Sequence, residues 1–247
     1  LILKYNPTSG TVAWARTWGD TDDDSGRDVA VDSNGNAYVV GTYTEPTSGD
    51  LWLALLKFDA SGNLLWQRTW RDGIDDAEGL CVCVDSSNNI YVGGYSGDYA
   101  IIQVWDTSGN LSTTVTFSRS GSIFCDVWAL VASGGKVYAA MDADLDSIVV
   151  ACFDPSNNWN VDWATEWNDS GATNLNLPWA MVMSGSNLSI CCTNTDNLFN
   201  PTFWNSVVLG LDTSGNLLWQ KIYSISNVVL ELYGGVVDAG VAYFVGY

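Results

Sequence analysis

Leu55-Leu56-Lys57-Phe58-Asp59-Ala60-Ser61-Gly62-Asn63-Leu64-Leu65-Trp66 recurs later in the chain as Val208-Leu209-Gly210-Leu211-Asp212-Thr213-Ser214-Gly215-Asn216-Leu217-Leu218-Trp219. Each stretch is an apolar run that stops at Asp, then a Ser-Gly-Asn turn, then a second apolar run that reaches Trp. Weaker copies begin at Leu1, Ile101 and Val149, with first runs ending on Asn6, Asp106 and Asp154. The five anchors stand roughly 50 residues apart, the period of a four-stranded propeller blade.

The second run carries an aromatic pair four residues apart in four of the copies: Trp14 and Trp18, Trp66 and Trp70, Trp163 and Trp167, Trp219 and Tyr223. The third copy keeps only Phe117, with Thr113 at the other place. Positions i and i+4 of a strand share a face. Packing of sheet against sheet is therefore the first reading of the 13 Trp in the chain, and an aromatic ligand cage the alternative.

The other half of each repeat reads as a hairpin. Val29-Ala30-Val31-Asp32-Ser33-Asn34-Gly35-Asn36-Ala37-Tyr38-Val39-Val40-Gly41 places two β-rich runs around Asn-Gly, a strong hairpin signal. Its counterparts are residues 82–94, 129–141, 180–192 and 234–246. No interval shows a sustained helical period. The expectation is an all-β fold, a five-bladed β-propeller of four-stranded antiparallel blades, forming one domain over residues 1–247. Four blades cover about 26–70, 78–117, 125–167 and 177–223. The fifth is split between residues 1–18 and 231–247, so that pairing the N-terminal and C-terminal strands closes the ring and removes its open edges.

Composition narrows the function. The chain has 247 residues, 47% of them hydrophobic, which suits a large buried core. Its 28 acids against 9 Lys and Arg give a formal net charge of −19. Such a surface repels phosphate backbones and anionic lipid, so a nucleic-acid partner is not expected. No apolar run approaches the roughly 20 residues that span a bilayer, so membrane insertion is not expected either. The start, Leu1-Ile2-Leu3-Lys4, carries neither an initiator Met nor a signal sequence, and reads as the end of a processed chain or an excised domain.

Residues 28–41 followed by residues 53–66, Leu-Ala-Leu-Leu-Lys-Phe-Asp-Ala-Ser-Gly-Asn-Leu-Leu-Trp, resemble the bacterial and archaeal extracellular β-propeller repeat family, often described as seven-bladed. The resemblance extends over nearly the whole chain, sharpest in repeats one, two and five. It implies a secreted or cell-surface location and assigns no activity; five copies in place of seven is a departure from the family pattern.

Several residue groups are candidates for a site. Residues 20–28 hold five carboxylates, and the alternation of Asp20, Asp22 and Asp24, like that of Asp142, Asp144 and Asp146, is one that a Ca²⁺ ion uses; solvated acidic turns are the competing reading. Alignment of the innermost strands places Asp28, Cys81, Trp128, Trp179 and Tyr233 at one equivalent position. Asp28, Trp128, Trp179 and Tyr233 are then a candidate ligand-binding ring at the channel mouth, unless their side chains pack between blades. The chain has no His, which removes His-based triads and His metal ligands. Asp28, Glu78, Asp126 and Glu231 are the carboxylates from which a five-bladed glycoside hydrolase would draw an acid and a base. Six Cys leave one or two disulfides open as an extracellular feature, against small buried thiols as the alternative. The expected function is a secreted or cell-surface structural and binding module without catalysis. Its partners are proteins, including copies of itself, or glycans, with a lectin-like propeller and a glycoside hydrolase as alternatives.

Overall fold

Asx-headed turns cut the apolar runs into strands, and among the described residues of the computed structural model the regular elements are strands apart from one 3₁₀ turn at Pro155–Asn157. It describes residues 1–73, 75–117, 125–143, 146–168, 175–195, 204–224 and 231–246. Four antiparallel sheets of four strands follow one another along the chain. The first holds β3 (Ser25–Val31), β4 (Ala37–Thr44), β5 (Leu51–Phe58) and β6 (Leu64–Trp70). The second holds β7 (Ala77–Val84), β8 (Ile90–Ser96), β9 (Tyr99–Trp105) and β10 (Leu111–Phe117). The third is β11 (Val127–Ser133), β12 (Lys136–Ala143), β13 (Ser147–Asp154) and β14 (Asn160–Trp167); the fourth is β15 (Leu175–Ser184), β16 (Asn187–Thr195), β17 (Trp204–Asp212) and β18 (Leu217–Ser224). In every one, strand order follows chain order.

The chain ends form two further sheets of two strands each, β1 (Ile2–Tyr5) with β2 (Val12–Arg16), and β19 (Leu232–Asp238) with β20 (Val241–Gly246). The expected four-stranded sheet shared by both ends is not among the sheets of the described residues; each terminal pair is a hairpin bonded to itself.

Contacts group the chain into two compact units, Leu1–Gly97 with Ile101–Val115, and Asp98–Ala100 with Thr116–Tyr247. In the first, Tyr38, Val40, Leu53, Leu55, Val82, Ile90, Val92 and Ile101 make the main core, with Trp66 and Trp70 packed against it. In the second, Ile148, Val150, Cys152, Leu188, Ile190, Cys192, Val207 and Leu209 do the same, with Trp163 against them. Each core is two inner sheet faces meeting, which is where period-2 burial along the strands puts the apolar side chains.

The turn after each Asp shows why this chain is so rich in Asp. Asp59 Oδ1 accepts from the amides of Ser61 (2.8 Å) and Asn63 (2.9 Å), and Oδ2 from Asn63 Nδ2 (2.8 Å). Asp32, Asp85, Asp106 and Asp212 hold the Asn four residues on in the same way. The bonds from the partner Asn hold the carboxyls of Asp59, Asp106 and Asp212 below the usual carboxylate range. At Asp32 and Asp85 burial works upward, but the same set of hydrogen bonds outweighs it.

Candidate ligand-binding site

The first strand of every repeat carries a β-bulge at one place. Register shifts between Gly26 and Asp28, Gly79 and Cys81, Val127 and Ala129, Pro178 and Ala180, and Leu232 and Gly234. The extra residue in each is therefore Arg27, Leu80, Trp128, Trp179 or Tyr233. This corrects the sequence alignment, which set Asp28 and Cys81 beside the three aromatics; a bulge moves one residue out of the alternation, and no residue count reveals it. Opposite the bulges of β3, β7 and β19 stand Gly41, Gly94 and Gly246. A Cβ on these glycines would meet the Ser25, Glu78 and Glu231 carbonyl oxygens at 1.9, 1.9 and 1.4 Å, so these three bulges need glycine across from them.

In the second unit the bulged residues form a row. The rings of Trp128 and Trp179 lie 5.0 Å apart at 71°, and those of Trp179 and Tyr233 5.0 Å apart at 66°. Such edge-to-face contacts are favoured by the ring quadrupole. Both indoles are pinned from behind: Trp128 Nε1 donates to Asp142 Oδ1 (3.0 Å), which also accepts from the Asp126 amide (2.9 Å), and Trp179 Nε1 donates to Thr193 Oγ1 (2.7 Å). Val127, Ala129 and Leu177 around them are buried, whereas Trp128 and Trp179 stay partly open and Tyr233 is 40% exposed.

Asp28 belongs to the first unit. Its carboxylate accepts from the amides of Val29 (2.7 Å) and, on the next sheet, Val82 (2.9 Å). Burial raises its pKa, and the two amides pull the other way. It ties β3 to β7. Beside it, Glu78 accepts from Tyr95 Oη (2.7 Å), Thr42 Oγ1 (2.8 Å) and Arg27 (3.2 Å). The sequence singled out Asp28 and Glu78 as carboxylates but not the partners that hold them. Glu78 stands two residues before the bulge, a place also taken by Asp126 and Glu231.

Four of the carboxylates proposed for a metal, Asp20, Asp24, Asp142 and Asp146, accept hydrogen bonds from the protein. Asp20 Oδ1 accepts from the Asp22 amide (3.0 Å); Asp24 accepts from the amides of Asp20 (2.9 Å) and Thr44 (3.0 Å). Asp142 holds Trp128, and Asp146 Oδ1 accepts from Ser147 Oγ (3.1 Å). Asp144 lies outside the described residues. Among those described, no three carboxylates or thiols converge as a metal group. Cys152, Cys191 and Cys192 are buried and carry no disulfide, and burial pushes the Cys191 thiol up to about 12.

Residues 14–42 match the model of the SBBP beta-propeller repeat. The chain carries this propeller repeat. No curated protein matches it. Among solved structures, an apocarotenoid oxygenase from Synechocystis is 10% identical over 94% of this chain and 57% of its own, with a TM-score of 0.51. A protein of unknown function from Bacteroides caccae is 12% identical over 89% of this chain and 88% of its own, with a TM-score of 0.47. Virginiamycin B lyase from Staphylococcus aureus is 10% identical over 89% and 76%, also at 0.47. The chain spans a little over half the length of the oxygenase, and the likeness to it is one of fold alone.

Proposed function

We propose that this propeller chain is a non-catalytic structural and binding module, secreted or held at the cell surface, whose partners are proteins or glycans. The observation that supports it is the employment of the acids. A glycoside hydrolase needs two carboxylates across one cleft, one of them with a raised pKa. The turn carboxylates are held low by their Asn partners, and Glu78 is engaged by three donors. Asp28, whose pKa is raised, is bound to two backbone amides. The resemblance to extracellular propeller repeats supports the location, and among the described residues no helix is long and apolar enough to cross a membrane.

The fold completes as a five-bladed ring in this proposal, with β1–β2 and β19–β20 supplying the four strands of the last blade. What supports the ring is the repeat itself, since β19–β20 and β1–β2 correspond to the first and second strand pairs of the other four sheets. Incubation of the purified chain with a panel of polysaccharides and aryl glycosides tests the function: intact substrates are expected, and sugar release would overturn the non-catalytic reading. Size-exclusion chromatography with native mass spectrometry over a concentration series then separates a self-assembling module from one that binds other molecules as a monomer.

A further inference from the structure

We infer that the row Trp128–Trp179–Tyr233 is a binding site for a neutral oligosaccharide chain. The inference rests on the binding-module reading and names its ligand class. Three features carry it. The rings sit at bulges, where a side chain is re-aimed out of the strand alternation, and they remain open between buried neighbours such as Val127 and Leu177. Their orientation is fixed before any ligand arrives, since Asp142 and Thr193 hold the two indole N–H groups; a preordered platform saves the entropy of arranging it on binding.

Charge selects the ligand. No Lys or Arg occurs in β11, β15, β16, β19 or β20, and Lys136 on β12 is paired with Asp154 and Asp162, whereas Asp126, two residues ahead of Trp128, is partly open and Glu231, two ahead of Tyr233, is buried. On the strands of the second unit that carry the rings, an anionic ligand would meet no cation. A compact cation would need ring faces converging on one point, but these rings run edge to face at 5.0 Å intervals. An uncharged chain with apolar C–H faces fits a row of aromatic rings on strands that carry no cation. The corresponding bulges of the first unit, Arg27 and Leu80, offer no such row.

The test is isothermal titration of the full chain with neutral hexasaccharides (cello-, xylo-, manno- and chito-series), with choline as cation probe and a heparin hexasaccharide as anion probe. At least one neutral sugar is expected to bind at millimolar concentration or below. Tyr233→Ala and Trp179→Ala should each weaken it about tenfold or more, while Trp179→Phe recovers part of the loss. Tyr233, the more open ring, keeps the test valid if Trp179→Ala fails to fold. No binding of any neutral sugar, equal binding by a folded Tyr233→Ala chain, or binding of choline or heparin alone overturns the inference. Chromatography of the same samples keeps the two proposals apart: shortened sugars would sink the non-catalytic reading, whereas absent binding would sink the site.

Discussion

Trp163 on β14 and Trp219 on β18 occupy the same place in the repeat and meet different surroundings. Trp163 lies 6.1 Å from the Tyr138 ring and donates through Nε1 to the Thr213 carbonyl (2.9 Å), in the Asp-headed turn of the following sheet. Thr165 Oγ1 reaches the Gly215 carbonyl of that turn, and Trp167 Nε1 reaches Gln220 (2.7 Å). The first unit repeats the arrangement: Trp14 donates to the Ala60 carbonyl (3.2 Å) and Trp66 to that of Thr107 (3.1 Å). Trp219 is 44% exposed, and every residue of β18 is open. Its indole lies over Gly210 of its own sheet. A last-strand Trp is thus a socketed plug whose socket is the next Asp-headed turn. The repeat encodes the plug, and the seat comes from the neighbouring blade.

The sharpest way to break this comparison is to remove both plugs singly. Trp163→Ala should cost about 3 kcal/mol, the low end for a large ring lost from a packed site, read as a drop in the midpoint of urea unfolding. Trp219→Ala should cost under about 1 kcal/mol if β18 stays open as it stands. A loss comparable to that of Trp163 is what the proposed five-bladed ring expects, since it seats Trp219 in a socket; a small loss would overturn the ring.

A smaller effect comes from the seats. Gly215 has φ +86°, and a Cβ there would lie 2.6 Å from the Trp163 ring, so Gly215→Ala should destabilise by about 1–3 kcal/mol through both the left-handed backbone and the clash. A Cβ on Gly210 would meet the Trp219 ring at 2.2 Å, but that ring has open space to move into. Gly210→Ala is expected to cost less than Gly215→Ala by thermal melting, and the reverse order would show that Trp219 is held.

The least effect per residue is that of pH on the turns. Asp59, Asp106 and Asp212 have folded pKa values below their unfolded ones. The stability they contribute is present above the unfolded Asp value of about 3.9 and is lost as pH falls through the lower folded values. Melting temperature between pH 5 and 2 should fall in the native chain and fall less in the Asp59→Asn, Asp106→Asn, Asp212→Asn triple variant, which keeps an acceptor at each turn. Asn6 already does this, accepting from the Thr8 (2.9 Å) and Ser9 (3.3 Å) amides. Parallel profiles would mean that these turns carry no pH-dependent stability.

Much of this architecture was legible because the chain repeats itself locally. Apolar runs between Asp and Asn define strands by period alone, and four-stranded antiparallel sheets follow from runs of matching length joined by short turns. The aromatic pairs face a neighbouring sheet because i and i+4 share a side. The acids of the turns were readable as turn chemistry since an Asp and the Asn four residues later bond each other within one loop. Three rings of the candidate site were likewise found by alignment, as Trp128, Trp179 and Tyr233 each follow the same hairpin logic.

What the sequence determined by itself is the set of local, periodic features, strands and Asp-headed turns, fixed by interactions within about ten residues, together with the position of the aromatic plug on four of the five last strands. Tertiary structure decided which residue of each first strand is displaced, so that Arg27 and Leu80 rather than Asp28 and Cys81 match the aromatics. It also gave Asp28 and Asp142 their work, in binding the Val82 amide and the Trp128 indole. A bulge is chosen by the pairing of two strands and the close approach of a third group, and a carboxylate's partner by what the neighbouring sheet presents; neither energy is contained in the order of residues along one strand.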